Sequence, residues 1–565
     1  MNLHHIARAV SPVFLAFLLA AMAGTAAAQP ANDLIANAEV ITTLPFSDLE
    51  TGIGTATTAA GDPVLKCRVP RATGGNTVWY RHTTGATTEY VTLTTATSNY
   101  DTILSIYTGT ADNLKPIAGG CNNQGVPGSA TLAQLAGVRL APNTTHFIEV
   151  AQQTASATAR TLSLQVTASI QYTVTKVVDT ADGNCSPSDC SIREAIGASN
   201  ASPGAVIIPA GIYSLGIQGA SDDQNATGDL DVRQGMGIYG AGRSQTVIDG
   251  GDIDRLVDIN PGNLQAMTVQ ISDLSIVNGL GSSFSPGGGI YANGSSSVLS
   301  LNRVSLRENA TSTQGGAVAT GMMTYVDDCD FRNNQNSAFG GGIYFFSNVI
   351  SEVRNSLFAG NRGGNGGAIG SAGELVVVNT TITGNTAGAN GGGIHYHQDV
   401  NTLRLFNTTI TQNAADASSQ GGGIFIQDSG NLPQLFNSVL ANNTAANGFT
   451  NCNFATATGT FNHVTSNECF NGGTGNIRNT PATFLPLTNL GGTADIRAFD
   501  AGSPLLDAGN PSGCFDENGQ ILANDQRGPG FPRALDGNAD GSALCDKGAY
   551  EFAPPSPNIF ANGFE

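Results

Sequence analysis

The stretch that decides the fold is Phe358-Ala359-Gly360-Asn361-Arg362-Gly363-Gly364-Asn365-Gly366-Gly367-Ala368-Ile369. It holds two units. One is an apolar residue followed, after two spacers, by asparagine (Phe358 to Asn361); the other is a glycine-rich run ending in a branched residue (Gly366 to Ile369). Both recur. The branched residue returns as Ile290, Val318, Ile343, Ile369, Ile394 and Ile424, at gaps of 28, 25, 26, 25 and 30 residues. The other unit returns as Leu306 to Asn309, Phe331 to Asn334, Phe358 to Asn361, Ile382 to Asn385, Ile410 to Asn413 and Leu440 to Asn443. Interleaved units at such a period mean a solenoid, whose repeats each bury an apolar face only by stacking on the next.

A leucine-rich repeat has a similar period but needs a helix or 3₁₀ segment on its convex side. The return stretches here, TGNTAGANGGGI (383–394) and TQNAADASSQGGGI (411–424), are too rich in Gly, Asn and Ser for helix. Two or three short strands per turn remain, so the expected fold is all-β with a right-handed parallel β-helix. Rungs about 4.8 Å apart then pile the Ile and Leu residues into an interior column. The asparagines Asn309, Asn334, Asn361, Asn385, Asn413 and Asn443 are placed to form a ladder, each amide bonding the next. Glycine permits positive φ at the corners.

Outward from the repeat, the chain divides. Residues 1–28 read as a signal peptide: Arg8 is the basic part, Val13 to Ala23 the apolar part and Ala26-Ala27-Ala28 a small-residue cleavage site. No later run is long enough to span a membrane as a helix. Residues 29–169 read as a β-sandwich of alternating strands, among them TVWY (77–80), EYVTLTT (89–95) and DTILSIY (101–107), with Trp79 as a core anchor. Residues 170–489 are assigned to the β-helix with its N-terminal cap, 490–552 to a separate C-terminal region, and 553–565 to a flexible tail.

Composition fits an exported β protein. Charged residues are 12% of the chain, against roughly 25% in ordinary globular proteins. The net charge of −19, with four lysines, argues against nucleic acid and anionic membranes. Nine cysteines in an oxidising compartment should pair, and their positions suggest Cys67 with Cys121, Cys185 with Cys190, Cys452 with Cys469 and Cys514 with Cys545, leaving Cys329 over. A monomer is expected.

Several segments resemble known families. The opening Asn32-Asp33, TVWY and SNYDTILSIYTG (98–109) are similar to the pre-peptidase C-terminal jelly-roll modules of bacterial secreted proteins, which imply binding or spacing. Cys190-Ser191-Ile192-Arg193-Glu194-Ala195-Ile196 resembles the CSLREA-type motif that opens bacterial β-helix surface proteins, with Ile192 in place of Leu. The paired repeat units resemble polymorphic outer-membrane protein repeats, which imply surface exposure and adhesion. Asp525-Gln526-Arg527-Gly528 and Cys545-Asp546-Lys547-Gly548-Ala549-Tyr550-Glu551 resemble the choice-of-anchor Q region, which implies association with the cell surface.

Chemistry has four candidate places. Parallel β-helices also carry polysaccharide lyases and hydrolases, which need converging carboxylates; the acids available are Asp249, Asp252, Asp254 and Asp258 with Arg255, and Asp327, Asp328 and Asp330. His395 and His397 would share one face of a strand and bind a metal given a third ligand. Asp536-x-Asn538-x-Asp540-Gly541 reproduces the first half of a calcium loop, although Lys547 stands where the bidentate acid belongs. The reading is therefore a secreted or surface-associated, outer-membrane-linked β-helix protein without catalytic residues. It would act in adhesion or envelope interaction, with glycans or a host or neighbouring cell surface as partners and calcium as the one candidate cofactor. A carbohydrate-active or carbohydrate-binding β-helix is the alternative. A groove of acids, arginine and aromatics would favour that alternative; a flat Asn/Ser/Thr face would favour interaction.

Overall fold

The computed structural model describes residues 28–554, apart from 69–70, 220–221, 283–284, 347–349, 398–401, 417, 429, 431 and 456. The signal-peptide segment 1–27 and the tail 555–565 lie outside the described residues.

An N-terminal sandwich comes first. A five-stranded sheet pairs Glu39–Ile41, Gly75–Thr83, Thr145–Gln152, Thr102–Thr110 and Asn113–Asn122. It faces a four-stranded sheet of Phe46–Thr51, Thr161–Ala168, Glu89–Thr94 and Gln134–Leu140. Alternation decides which side chains enter: Val78, Tyr80, Leu104, Ile106, Leu93 and Leu164 fill the space between the sheets. Trp79, one step out of phase, points the other way. It is wholly buried there against Ala38 and Tyr107, and its backbone N–H donates to the Asn32 carbonyl. The tryptophan anchors the N-terminal segment onto the outside of the sheet rather than filling the sandwich core.

The rest is a right-handed parallel β-solenoid of about nine turns. Its open N-terminal end is closed by the helix Ile192–Ala201, which starts in a reciprocal cap: the Glu194 N–H donates to Ser191 Oγ, and the Ser191 N–H donates to the Glu194 carboxylate at 2.7 Å. Ile192, Ala195 and Ile196 cover the first rung's apolar interior. The repeat residues stack in register: Ile290, Val318, Ile343, Ile369, Ile394 and Ile424 are successive partners. So are Leu306, Phe331, Phe358, Ile382, Ile410 and Leu440. Phe331 and Phe358 stack nearly parallel with centroids 4.4 Å apart.

The asparagines form the turn ladder. Each Nδ2 donates to the next residue's Oδ1 at 2.9–3.0 Å, from Asn309 through Asn334, Asn361, Asn385 and Asn413 to Asn443. Gly366 takes φ +65°, and a Cβ on Gly367 would lie 2.3 Å from the Gly392 carbonyl oxygen, so only glycine lets the rungs approach here. A second asparagine column, not anticipated above, turns the corner inside the long sheet. Asn355, Asn379, Asn407 and Asn437 all have positive φ, with Asn379 donating to Asn355 and Asn437 to Asn407 at 2.8 Å.

The solenoid has three outer faces. One is a 19-stranded sheet, one an eight-stranded sheet from Leu230–Val232 to Ile424–Ile426, and one a narrow five-stranded sheet from Ala310–Thr311 to Ala414–Ala415. The 19-stranded face is covered. The sandwich strands Asn113–Asn122 and Gln134–Leu140 lie across its early rungs. Residues 482–552 run back over its later rungs: Thr381 Oγ1 and the Ser356 carbonyl bind the Gln526 amide, Asn437 donates to the Asp546 carbonyl, and Arg533 donates to Asn379 Oδ1 at 2.5 Å. Disulfides join Cys67–Cys121, Cys185–Cys190, Cys452–Cys469 and Cys514–Cys545, and Cys329 is free and buried. No helix among the described residues is long and apolar enough to cross a membrane.

Candidate functional site

Among the described residues, the eight-stranded sheet carries neither the sandwich nor the C-terminal segment. Its strands are three residues long, so in each the flanking residues point inward and the middle one outward. The outward column runs, in register, Asp231, Asp258, Tyr291, Ala319, Tyr344, Gly370, His395 and Phe425. It has an acidic end and an aromatic end.

At the aromatic end, His395 stacks on Phe425 with centroids 5.1 Å apart. Phe339, from the preceding turn, contacts Tyr344, His395 and His397 at 5.8, 5.3 and 5.7 Å. Phe346 packs edge-on against Tyr344 at 4.9 Å. Gly370 is what lets Tyr344 lie across the row, since a Cβ there would stand 2.8 Å from its ring. Tyr291, Phe339, Phe346, His397 and Phe425 are half-buried, so part of each ring faces out. Burial first, and His397 second, push the His395 imidazole down to about 4, so it is neutral at pH 7. Nδ1 of both histidines has no hydrogen-bond partner. The two share one face, as their spacing implies, but no carboxylate or cysteine joins them in a group of three among the described residues.

At the acidic end, Asp258 meets Arg255, as the sequence proposed; Asp229 and Asp231, which the sequence reading passed over, join Asp258 in one group of carboxylates, and Arg255 also binds Asp229. Arg255 Nε donates to Asp229 at 2.9 Å and Nη2 to Asp258 at 2.6 Å, with the guanidinium 5.4 Å from the Tyr291 ring centroid. Burial raises all three carboxyls: Asp231 to about 8, with Asp229 adding to the rise, and Asp258 to about 7 despite Arg255. One signal pointed to them. Leu230-Asp231-Val232 and Val257-Asp258-Ile259 are the strand unit continued upstream of Ile290, without its glycines.

The other sequence candidates are dispersed. Asp249 and Asp252 sit on a turn, where Asp249 accepts from the Gly251 N–H and from Asn278. Asp327, Asp328 and Asp330 lie on the covered sheet and are taken up by Asn355, Arg243 and Arg332. Asp536, Asn538 and Asp540 form an exposed turn whose side-chain oxygens accept the backbone N–H groups of Asp540, Gly541 and Ser542. A cleft of about 460 Å³ also opens between sandwich and solenoid, but its cations, Arg139 and Arg303, are both held by Asp273.

No protein-family model and no curated protein matches the chain. Among solved structures it is similar to the Agl-KA catalytic domain, at 13% identity and a TM-score of 0.26, over 76% of this chain and 92% of that one. It is also similar to the catalytic domain of GH87 alpha-1,3-glucanase solved with tetrasaccharides (12% identity, TM-score 0.27, 78% and 96% covered). The same domain solved with nigerose matches at 12% identity and a TM-score of 0.26, over 77% and 96%.

Proposed function

We propose that the protein is an exported, non-catalytic glycan-binding protein whose binding surface is the aromatic row of the eight-stranded sheet. The observation that carries this reading is the continuous set of half-buried rings from Phe339 and Phe346 to His397 and Phe425. Ring faces meet the C–H faces of sugars, and the rings pay little conformational entropy on binding. Hydrolysis is disfavoured because Asp231 has no exposure and the crevice beside Asp254 and Arg255 is too narrow for water.

Four disulfides support an oxidising compartment. The signal-like residues 1–28 and the anchor-like region 490–552 support a place at the cell surface, where glycan binding would serve adhesion. The test is a glycan array with purified protein, followed by a reducing-end and unsaturated-product assay on each hit. Binding without product, weakened in Phe346→Ala and Phe425→Ala, is expected. Product release, or binding that both variants leave unchanged, overturns the reading.

A further inference from the structure

The acidic end of the same face is built differently from the aromatic end, and its charges do not balance. Asp229, Asp231 and Asp258 each bring one carboxylate oxygen to within 4.8 Å of the others. Among the described residues, Arg255 is the single cation bonded to them, engaging Asp229 Oδ2 and Asp258 Oδ2. The other nearby arginine, Arg193, is paired with Asp179 and otherwise donates to the Gly228 and Asp229 carbonyls. The surrounding side chains add negative charge, since Asp222, Asp223 and Asp254 lie around the group. Ionised together, three carboxylates against one guanidinium would carry two uncompensated negative charges in a closed site.

Two oxygens are also left without work. Asp231 Oδ2 accepts the Asn225 N–H at 2.6 Å, but Asp231 Oδ1 has no partner, and neither has Asp258 Oδ1. Asp231 is fully buried and Asp258 is 6% exposed. A buried carboxylate oxygen without a donor is costly, and buried charges are ordinarily paired or bound to metal.

We propose that Asp229, Asp231 and Asp258 form a calcium site that clamps the N-terminal cap onto the first rungs. Calcium takes oxygen ligands at about 2.3–2.6 Å, so one ion spans oxygens up to about 5 Å apart, which takes in three carboxylate oxygens lying within 4.8 Å of one another; magnesium, which usually keeps several of its waters, suits a closed carboxylate site less well. One dication would let all three carboxyls ionise together, and Asp231 and Asp258 each keep an oxygen free for it. The place gives the ion a structural task. Asn225, at φ +65°, donates its side-chain N–H to the Arg193 carbonyl in the cap helix and accepts the Asp231 N–H on Oδ1. The segment 225–229 is thus stitched between cap and sheet, and an ion held by Asp229 on that segment's end and by Asp231 and Asp258 on two rungs would lock the stitch.

The test is calorimetry with calcium chloride on the full chain, stripped with a chelator, together with metal content of the protein as purified. Wild type is expected to bind one calcium per chain and to gain about 5 °C in Tm. Asp231→Asn, nearly isosteric, should bind about 100-fold more weakly, while Asp540→Ala on the exposed C-terminal turn should match wild type. Terbium, which takes calcium's place, supplies a readout in a variant that keeps its ring. Tyr291 is the register neighbour of Asp258, so Tyr291→Phe should lose most of the tyrosine-sensitised emission with unchanged calcium affinity. Flat heats in wild type, with no metal in the purified protein, overturn the proposal. So do heats that vanish in Asp540→Ala but persist in Asp231→Asn.

Discussion

The covered face and the open face of this solenoid are made of similar rungs and put to opposite uses. On the 19-stranded face, polar and charged outward residues are consumed by other parts of the same chain. Glu352 is the clearest case: Lys66 and Arg71 of the sandwich, Arg354 of the same strand and, through Arg354, Glu517 of the C-terminal region meet there. Burial alone would raise the Glu352 carboxyl, but Arg354, Lys66 and Arg71 outweigh it and hold it well below the usual range. On the eight-stranded face, nothing from the sandwich or the C-terminal region takes up the outward aromatics among the described residues. Charge on the covered face holds parts of the chain together, and the rings of the eight-stranded face are the surface on which the proposed glycan binding rests.

The largest effect should come from breaking the node that ties three regions. Glu352→Ala leaves Lys66, Arg71 and Arg354 facing one another without their buried anion, at about 3–5 kcal/mol. A lower denaturation midpoint with unchanged glycan affinity is expected. A variant that loses glycan affinity in proportion to stability would show that the two faces are not independent.

Next comes pH. The unfolded imidazole takes up a proton near pH 6.5. In the folded protein the His395 ring is pushed down to about 4 by burial and His397, and the His463 ring to about 4 by burial beneath the C-terminal region. Between those values the unfolded chain holds more protons than the folded one. The contribution of these two rings to stability is therefore full above about pH 6.5 and falls as the pH drops toward 4, by on the order of 3 kcal/mol for each. His395→Phe removes this ring's share, so the gap between midpoints at about pH 7 and about pH 4.5 should narrow. A gap as wide as in wild type would place the acid sensitivity entirely under the covered face.

A somewhat smaller loss is expected from the ladder that both faces share. Asn361→Ala deprives the Asn334 amide and backbone N–H of their acceptor and takes one donor from the Phe331 carbonyl, while Asn385 Oδ1 keeps the backbone N–H of residue 361, at about 2–3 kcal/mol. Hydrogen exchange should show the opening spread to neighbouring rungs while the sandwich strands keep their protection; a protected solenoid would mean that water replaces the amide.

Sequence made this contrast only half visible, for a physical reason. The inward residues repeat because every rung solves the same packing problem, so Ile290 to Ile424 could be read without coordinates. Even the second ladder left a trace, since Asn355, Asn379, Asn407 and Asn437 each precede Ser or Thr just before the next strand. The outward residues answer to partners far along the chain. Nothing local says that Gln526 reaches Ser356, or that Lys547, standing where a calcium loop expects an acid, sends its ammonium to the Asn462 and Gly475 carbonyls. Asp229 and Asp231 were missed because the rungs that carry them lack the glycines by which the repeat was recognised.

The finest discrimination sets two phenylalanines against each other. Phe406 and Phe425 both point outward from late rungs, and each stacks on an aromatic neighbour: Phe436 at 5.0 Å for the first, His395 at 5.1 Å for the second. Phe406 is 8% exposed, with Leu522 of the C-terminal region packed into its cluster, whereas Phe425 is half-buried with no such cover. Phe406→Ala empties a covered site and should cost about 3 kcal/mol, with glycan affinity intact. Phe425→Ala removes a ring that water already reaches, so its stability cost should stay near 1 kcal/mol, while affinity for any array hit falls about tenfold. The pair separates packing from recognition because chemistry, rung position and stacking are matched and only the covering differs. Equal stability losses would mean that an unseen partner of the chain covers Phe425 as well, and equal affinities would move the binding surface off this face.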